Sequence, residues 1–105
     1  MTFTGTEDQE ITLSQGSAMT LAYRTAHPST DTIKAEYFGK SILETILNQT
    51  GCVGIRVYNG LGSDGKQSNV LVGVDANGND MVNGVLGDRS VKSPPFSGNA
   101  NSLNS

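Results

Sequence analysis

Two short runs of alternating apolar residues constrain this chain more than anything else in it. Residues 52–60 place Val53, Ile55 and Val57 at every second position, and residues 69–75 do the same with Val70, Val72 and Val74. Side chains alternate between the faces of a strand, so each run reads as a strand with one apolar face. Between them stands Asp64-Gly65, a pair suited to the positive backbone angles of a two-residue type I′ turn. A hairpin centred there sets Val57 opposite Val72 and Ile55 opposite Val74, so that both rows share one side. On the other side it sets Arg56 opposite Gly73 and Tyr58 opposite Leu71, with Asp75 diagonal to the guanidinium. Asn59-Gly60 is a competing turn that allows a longer connection.

A hairpin alone is marginal in water, so the rest of the chain must cover it. Residues 14–26 put Ala18, Leu21, Ala22 and Thr25 on one helical stripe, with Ser14 as N-cap and His27-Pro28 as the stop. Residues 41–49 read as a second helix. Ser41 and Glu44 have the spacing of a capping box, Ile42, Leu43, Ile46 and Leu47 share a face, and Gly51 suits the stop. At two turns this helix is held only by burying that face. Residues 33–38 alternate weakly and read as a short strand, and residues 81–86 as another.

The expected fold class is therefore α+β: an antiparallel sheet of three to four strands built on the hairpin, with both helices packed on its valine face. Residues 1–10 are expected as a flexible arm, 11–92 as a single domain and 93–105 as an irregular tail. In that tail the Phe96 ring of Pro94-Pro95-Phe96 is expected to pack on the domain. Hydrophobic residues make up only 35% of the 105, but the net charge is −3, and disorder requires low hydrophobicity together with high charge.

Composition removes several function classes. The seven basic residues are scattered and never adjacent, which argues against nucleic acid as a partner. One cysteine, Cys52, excludes an intramolecular disulfide, and one Cys with one His cannot supply a structural zinc site. No run approaches the length of a membrane span, and the polar, acidic start does not read as a secretory signal, so the expectation is a cytoplasmic protein with no membrane partner.

Few residues carry chemistry. Cys52 and His27 fall in different elements, so a nucleophile–base pair is not expected. Gly60, Gly62 and Gly65 spell a dinucleotide fingerprint, but no helix follows to receive a pyrophosphate. Asp75, Asn77, Asn79 and Asp80 place oxygen side chains as in the start of a calcium loop. Position six is then Asp80 where glycine is needed, position twelve is Leu86 where glutamate is needed, and the same residues build an ordinary tight turn. Arg56 is a charge inside a strand. With Tyr58 and Asp75 beside it, it is a candidate for an anionic ligand, or for a structural bridge to Asp75 or Glu36, the second being favoured.

The stretches Gly51-Cys52-Val53-Gly54-Ile55-Arg56-Val57-Tyr58-Asn59-Gly60-Leu61 and Leu71-Val72-Gly73-Val74-Asp75-Ala76-Asn77-Gly78-Asn79-Asp80 resemble a family of small bacterial proteins of about this length. The Phe38-Gly39 junction and the Pro-Pro segment belong to the same resemblance, which spans most of residues 11–105. It implies a shared fold and brings no activity with it. Its members carry cysteines around the Pro-Pro pair. Ser93 and Ser97 stand there in this chain, so a metal or redox role of those cysteines is not implied.

No enzyme activity and no cofactor are expected. The leading expectation is a protein-interaction or structural module that binds a protein partner or itself through an uncovered Tyr58/Leu71 face. The alternative is a small-ligand or ion-binding domain using Arg56 or residues 75–80.

Overall fold

The computed structural model describes residues 1–104. Its elements are α1 (Leu13–Ala26), β1 (Ala35–Tyr37), α2 (Lys40–Leu47), β2 (Cys52–Tyr58), β3 (Val70–Asp75), β4 (Leu86–Gly87) and β5 (Val91–Ser93). The class is α+β, with a three-stranded sheet in the order β2-β3-β4 and a two-stranded sheet of β1 and β5, both antiparallel. The chain divides into two compact units. One holds Met1–Glu7 and Tyr37–Ser90, and the other holds Asp8–Glu36 and the residues from Val91 on. This grouping cuts across the division into arm, domain and tail.

The hairpin of the first unit forms one residue out of the expected register. Arg56 faces Val72, Val57 faces Leu71, Ile55 faces Gly73 and Tyr58 faces Val70. The cause is the turn. A type I′ turn needs positive φ at both central residues, and here Gly65 has it (φ 77°) while Asp64 does not. Gly65 N–H instead bonds Gly62 O at 2.9 Å and Gly62 N–H bonds Lys66 O at 2.8 Å. That is a three-residue loop with glycine in the left-handed position, and it shifts the pairing by one. Side chains directly opposite share a face, so Val70, Val72 and Val74 now lie with Tyr58 and Arg56, while Leu71 and Gly73 lie with Val57 and Ile55. Val53 is the extra residue of a bulge between Cys52 and Gly54.

The register decides which face α2 covers. The helix lies on the Leu71/Gly73 side, not on the valines. Gly73 is the point of closest approach, where a Cβ would stand 3.0 Å from both Cys52 Sγ and Gln49 Nε2. At Gly87 on β4 a Cβ would meet Ile42 Cγ1 at 3.1 Å. Ile46 is fully buried there beside Leu71, whereas Leu47 is exposed and does not share the buried face. Gln49 ties the end of the helix down, its Oε1 accepting from Val85 N–H at 2.8 Å and its Nε2 donating to Ile46 O at 2.9 Å. The expected capping box is absent. Gly39 is the N-cap without a side-chain bond, Ser41 lies inside the first turn, and Glu44 pairs with Lys40 at 3.5 Å.

The second unit contains α1, β5 and all of β1 but Tyr37. Its helix is capped two residues earlier than Ser14 implied. Thr12 is the cap, its Oγ1 accepting from Gln15 N–H at 3.1 Å while Gln15 Oε1 accepts from Thr12 N–H at 2.9 Å. This reciprocal pair is a capping box, with glutamine in the third position. The expected stripe of Ala18, Leu21, Ala22 and Thr25 is exposed, and no residue of α1 is buried. The half-buried face is Gly16, Ser17, Thr20 and Arg24, where Leu103 meets Gly16 and Arg24 Nη1 donates to Leu103 O at 2.6 Å. Thus the second helix of the expected roof belongs to a different unit from the valine face. Ile33 is buried, and Lys34 N–H bonds Ser93 O at 2.8 Å. Phe96 does not pack as expected: its ring is 69% exposed, and what closes this segment is Phe96 N–H on Lys92 O at 3.0 Å and Ser93 Oγ on Phe96 O.

Candidate functional site

The valine face of the first unit is roofed by a polar clasp. After β3 the chain turns sharply, with Gly78 (φ 82°) donating its N–H to Asp75 O at 2.9 Å. It returns beside β3, where Asp80 lies across from Val74. Arg56 stands on β2, on the opposite flank of the same strand and on the same face. A bond between Arg56 and Asp80 therefore passes over Val72 and Val74, and both valines are 3% exposed.

That bond is made. Arg56 Nη1 donates to Asp80 Oδ1 at 2.5 Å, and Nη1 and Nη2 reach Gly78 O at 3.2 and 3.3 Å. The Tyr58 hydroxyl donates to Asp80 Oδ2. The Asp80 side chain is 18% exposed and that of Arg56 is 34% exposed. The Tyr58 hydroxyl holds the Asp80 carboxyl below its ordinary 3.8, as does Arg56, against a burial that acts the other way. Asp80 raises the pKa of both its partners, Tyr58 above 10.0 and Arg56 above its ordinary value.

Phe3 completes the clasp from the N-terminus. Its ring centroid lies 5.7 Å from the Arg56 guanidinium carbon, within the range of a cation–π contact. The same ring lies against Gly78, and Phe3 N–H bonds Ala76 O at 2.9 Å. The segment is held in shape by Glu7, whose carboxylate accepts from Thr4 N–H at 2.9 Å and Gly5 N–H at 3.0 Å and is thereby kept below its ordinary 4.5.

Two of the three candidate ligand residues, Arg56 and Tyr58, thus converge, but on Asp80. Asp75 is not their partner. The register slip puts Val72 opposite Arg56, and the Asp75 carboxylate is turned inward on its own loop, where Oδ1 accepts from Asn77 N–H and Asn79 N–H, each at 3.0 Å. Glu36, the other expected partner, pairs with Lys92 at 3.7 Å in the second unit. The four calcium candidates are divided in the same way: Asp75, Asn77 and Asn79 shape the turn, and Asp80 belongs to the clasp. Among the described residues no group of three or more His, Cys, Asp or Glu is placed to hold a metal. Tyr58 and Leu71 do not form the shared open face that was expected. They lie on opposite faces, and Leu71 is 3% exposed beneath α2. Cys52 Sγ donates to Gly54 O at 3.2 Å in the first unit, while the His27 ring stacks on Tyr23 at 4.4 Å in the second.

Phe3 and Gly78 were missed. The Asn77-Gly78 turn carried a usable signal, since a tight reversal there returns residue 80 beside residue 74. Nothing in the polar stretch around Phe3 marks it as the residue that stacks on Arg56. No helix of the described residues is long and apolar enough to cross a membrane. No family model, curated protein or solved structure matches the chain.

Proposed function

We propose that this protein is a non-enzymatic protein-interaction or structural module whose partners include a second copy of itself. The observation that carries this reading is α1. Leu13, Met19 and Leu21 are each more than half exposed on a 14-residue helix that buries none of its residues. An isolated helix of about this length is marginal in water, because helices in proteins draw most of their stability from packing an apolar face. A partner supplies that packing. The polar groups that suit a ligand are spent on one another, since Asp80 takes both Arg56 and Tyr58. Light scattering across a concentration series tests the reading. A mass rising above 11.0 kDa is expected, together with slowed amide exchange in α1 as the mass rises. An 11.0 kDa species at every concentration overturns self-association.

A further inference from the structure

We infer that the outer edge of β2 pairs with the same edge of a second copy, giving one continuous antiparallel sheet about a two-fold axis. The inference rests on the self-association proposed above and names a contact in addition to α1.

The backbone groups of β2 point in two directions, toward β3 and away from it. In the hairpin loop the hydrogen-bonded pairs are Gly62 with Lys66 and Gly60 with Ser68. Such pairs recur at every second position of an antiparallel ladder, so Tyr58, Arg56 and Gly54 bond to β3. The far side of β3 gives the same parity. Gly73 O and Asp75 N–H bond away from β2, to Met81 N–H and Asn79 O, which leaves Val70, Val72 and Val74 to face β2. Ile55, Val57 and Asn59 must then direct their N–H and C=O groups outward. β2 is the first strand of its sheet, and no described residue outside the ladder bonds those groups.

Open edges are normally blunted by lysine, proline or a bulge. The stretch from Ile55 to Asn59 has none of these, and its one charge, Arg56, is neutralised by Asp80. The bulge at Val53 lies outside it. Donors and acceptors alternate along an antiparallel edge, so the edge is complementary to itself under a two-fold axis.

Registers centred on Ile55, Arg56 and Val57, in the middle of the strand, each keep the outward residues facing each other, and the structure favours one. Centring on Ile55 sets Val57 against Val53 of the second copy, where Gly5 already stands so close that a Cβ would lie 2.6 Å from Val53 O. Centring on Arg56 sets the two arginines opposite each other, a like-charge pairing that Asp80 offsets but that adds no attraction across the seam. Centring on Val57 pairs it with Val57 of the second copy, Ile55 with Asn59, and Arg56 with Tyr58. The last pair places a cation beside an aromatic ring on one face. On the other face the two Val57 side chains, each 53% exposed, cover one another.

Two variants test this. Val57→Lys adds the charge an edge normally carries at an exposed position, and it weakens association by about tenfold or more. Val57→Cys, made with Cys52→Ser, forms an intermolecular disulfide, because the paired Cα atoms of that register are about 5.5 Å apart, inside the disulfide range of about 4.4–6.8 Å. Leu61→Cys in the same background does not, since it faces residue 53 of the second copy. The expected result is a dimer by light scattering that Val57→Lys dissociates with an unchanged circular dichroism spectrum, and a cross-link at 57 and not at 61. A dimer that fails to cross-link at 57 overturns the edge contact and leaves self-association standing. A monomer at every concentration overturns both.

Discussion

Asp80 is the residue on which the most geometry converges, and its two partners give it a pH signature with two limbs. Its carboxyl is held below 3.8, so its stabilisation is complete above that ordinary value and is lost as pH falls through the lower folded one. The Tyr58 hydroxyl is held above 10.0, so its stabilisation is complete below that value and is lost as pH rises through the folded one. The clasp therefore contributes fully between about 4 and about 10 and fades at both ends. Thermal melts of the wild type and Asp80→Asn across pH check this. The wild type is expected to melt higher, by a constant margin in the middle of the range, and the margin should shrink below 3.8 and above 10.0. A margin that does not move with pH would mean that Asp80 acts through packing and not through its charge. Sequence reasoning marked Arg56 as a charge needing a partner and had Asp80 in hand as a calcium candidate. It did not join them, because the partner of a strand residue depends on register, and register depended on one backbone angle at Asp64.

Among the elements, α2 and α1 are stabilised by different means, and substitutions should separate them. Ile46 is fully buried at the contact with Leu71 and Gly87, so Ile46→Ala is expected to cost about 2–5 kcal/mol in urea unfolding. Thr12 caps a helix with no buried residue, so Thr12→Ala is expected to cost about 1 kcal/mol and to show as lost helicity in the far-ultraviolet spectrum. Equal effects of the two would contradict the division. The existence of both helices and both central strands was legible in the sequence, since periodicity reports which residues repeat on a face. What each face meets was not. The valine row alternates equally well under α2 or under the Arg56–Asp80 clasp, and period alone does not choose between them. The α1 stripe was legible as a stripe, yet its polar face of Gly16, Ser17, Thr20 and Arg24 is the half-buried one. Small residues admit close approach of a segment such as that at Leu103, and no hydrophobic pattern announces it. The starts of both helices shifted for a related reason: the S/T-x-x-E/Q spacing recurs at Thr4, Thr6, Thr12 and Ser41, and of the two next to a helix only Thr12–Gln15 precedes it, Ser41–Glu44 lying within α2.

At the scale of the whole molecule, the folded chain hides little apolar surface by itself. Among the described residues the buried apolar side chains are Ile33, Ile46, Leu71, Val72 and Val74, and four of these five lie in the first unit. A fully buried aliphatic side chain contributes about 1.5–3 kcal/mol, which is modest against the chain entropy that folding must offset. If association supplies the remainder, stability must depend on concentration, because a partner that binds only the folded chain stabilises it by mass action. In the range where the dimer predominates, each tenfold rise in protein concentration adds about 1.4 kcal/mol for the dimer that unfolds. For a chain of this size that corresponds to a melting temperature higher by several degrees, roughly 4–8 °C per kcal/mol of monomer at most. Calorimetry of the wild type at micromolar and millimolar concentrations is expected to show the shift, and Val57→Lys is expected to show it only at concentrations about tenfold or more higher. A wild type whose melting temperature is independent of concentration would mean that the five buried residues and the clasp suffice, and that the open edge of β2 and the bare face of α1 are tolerated in water.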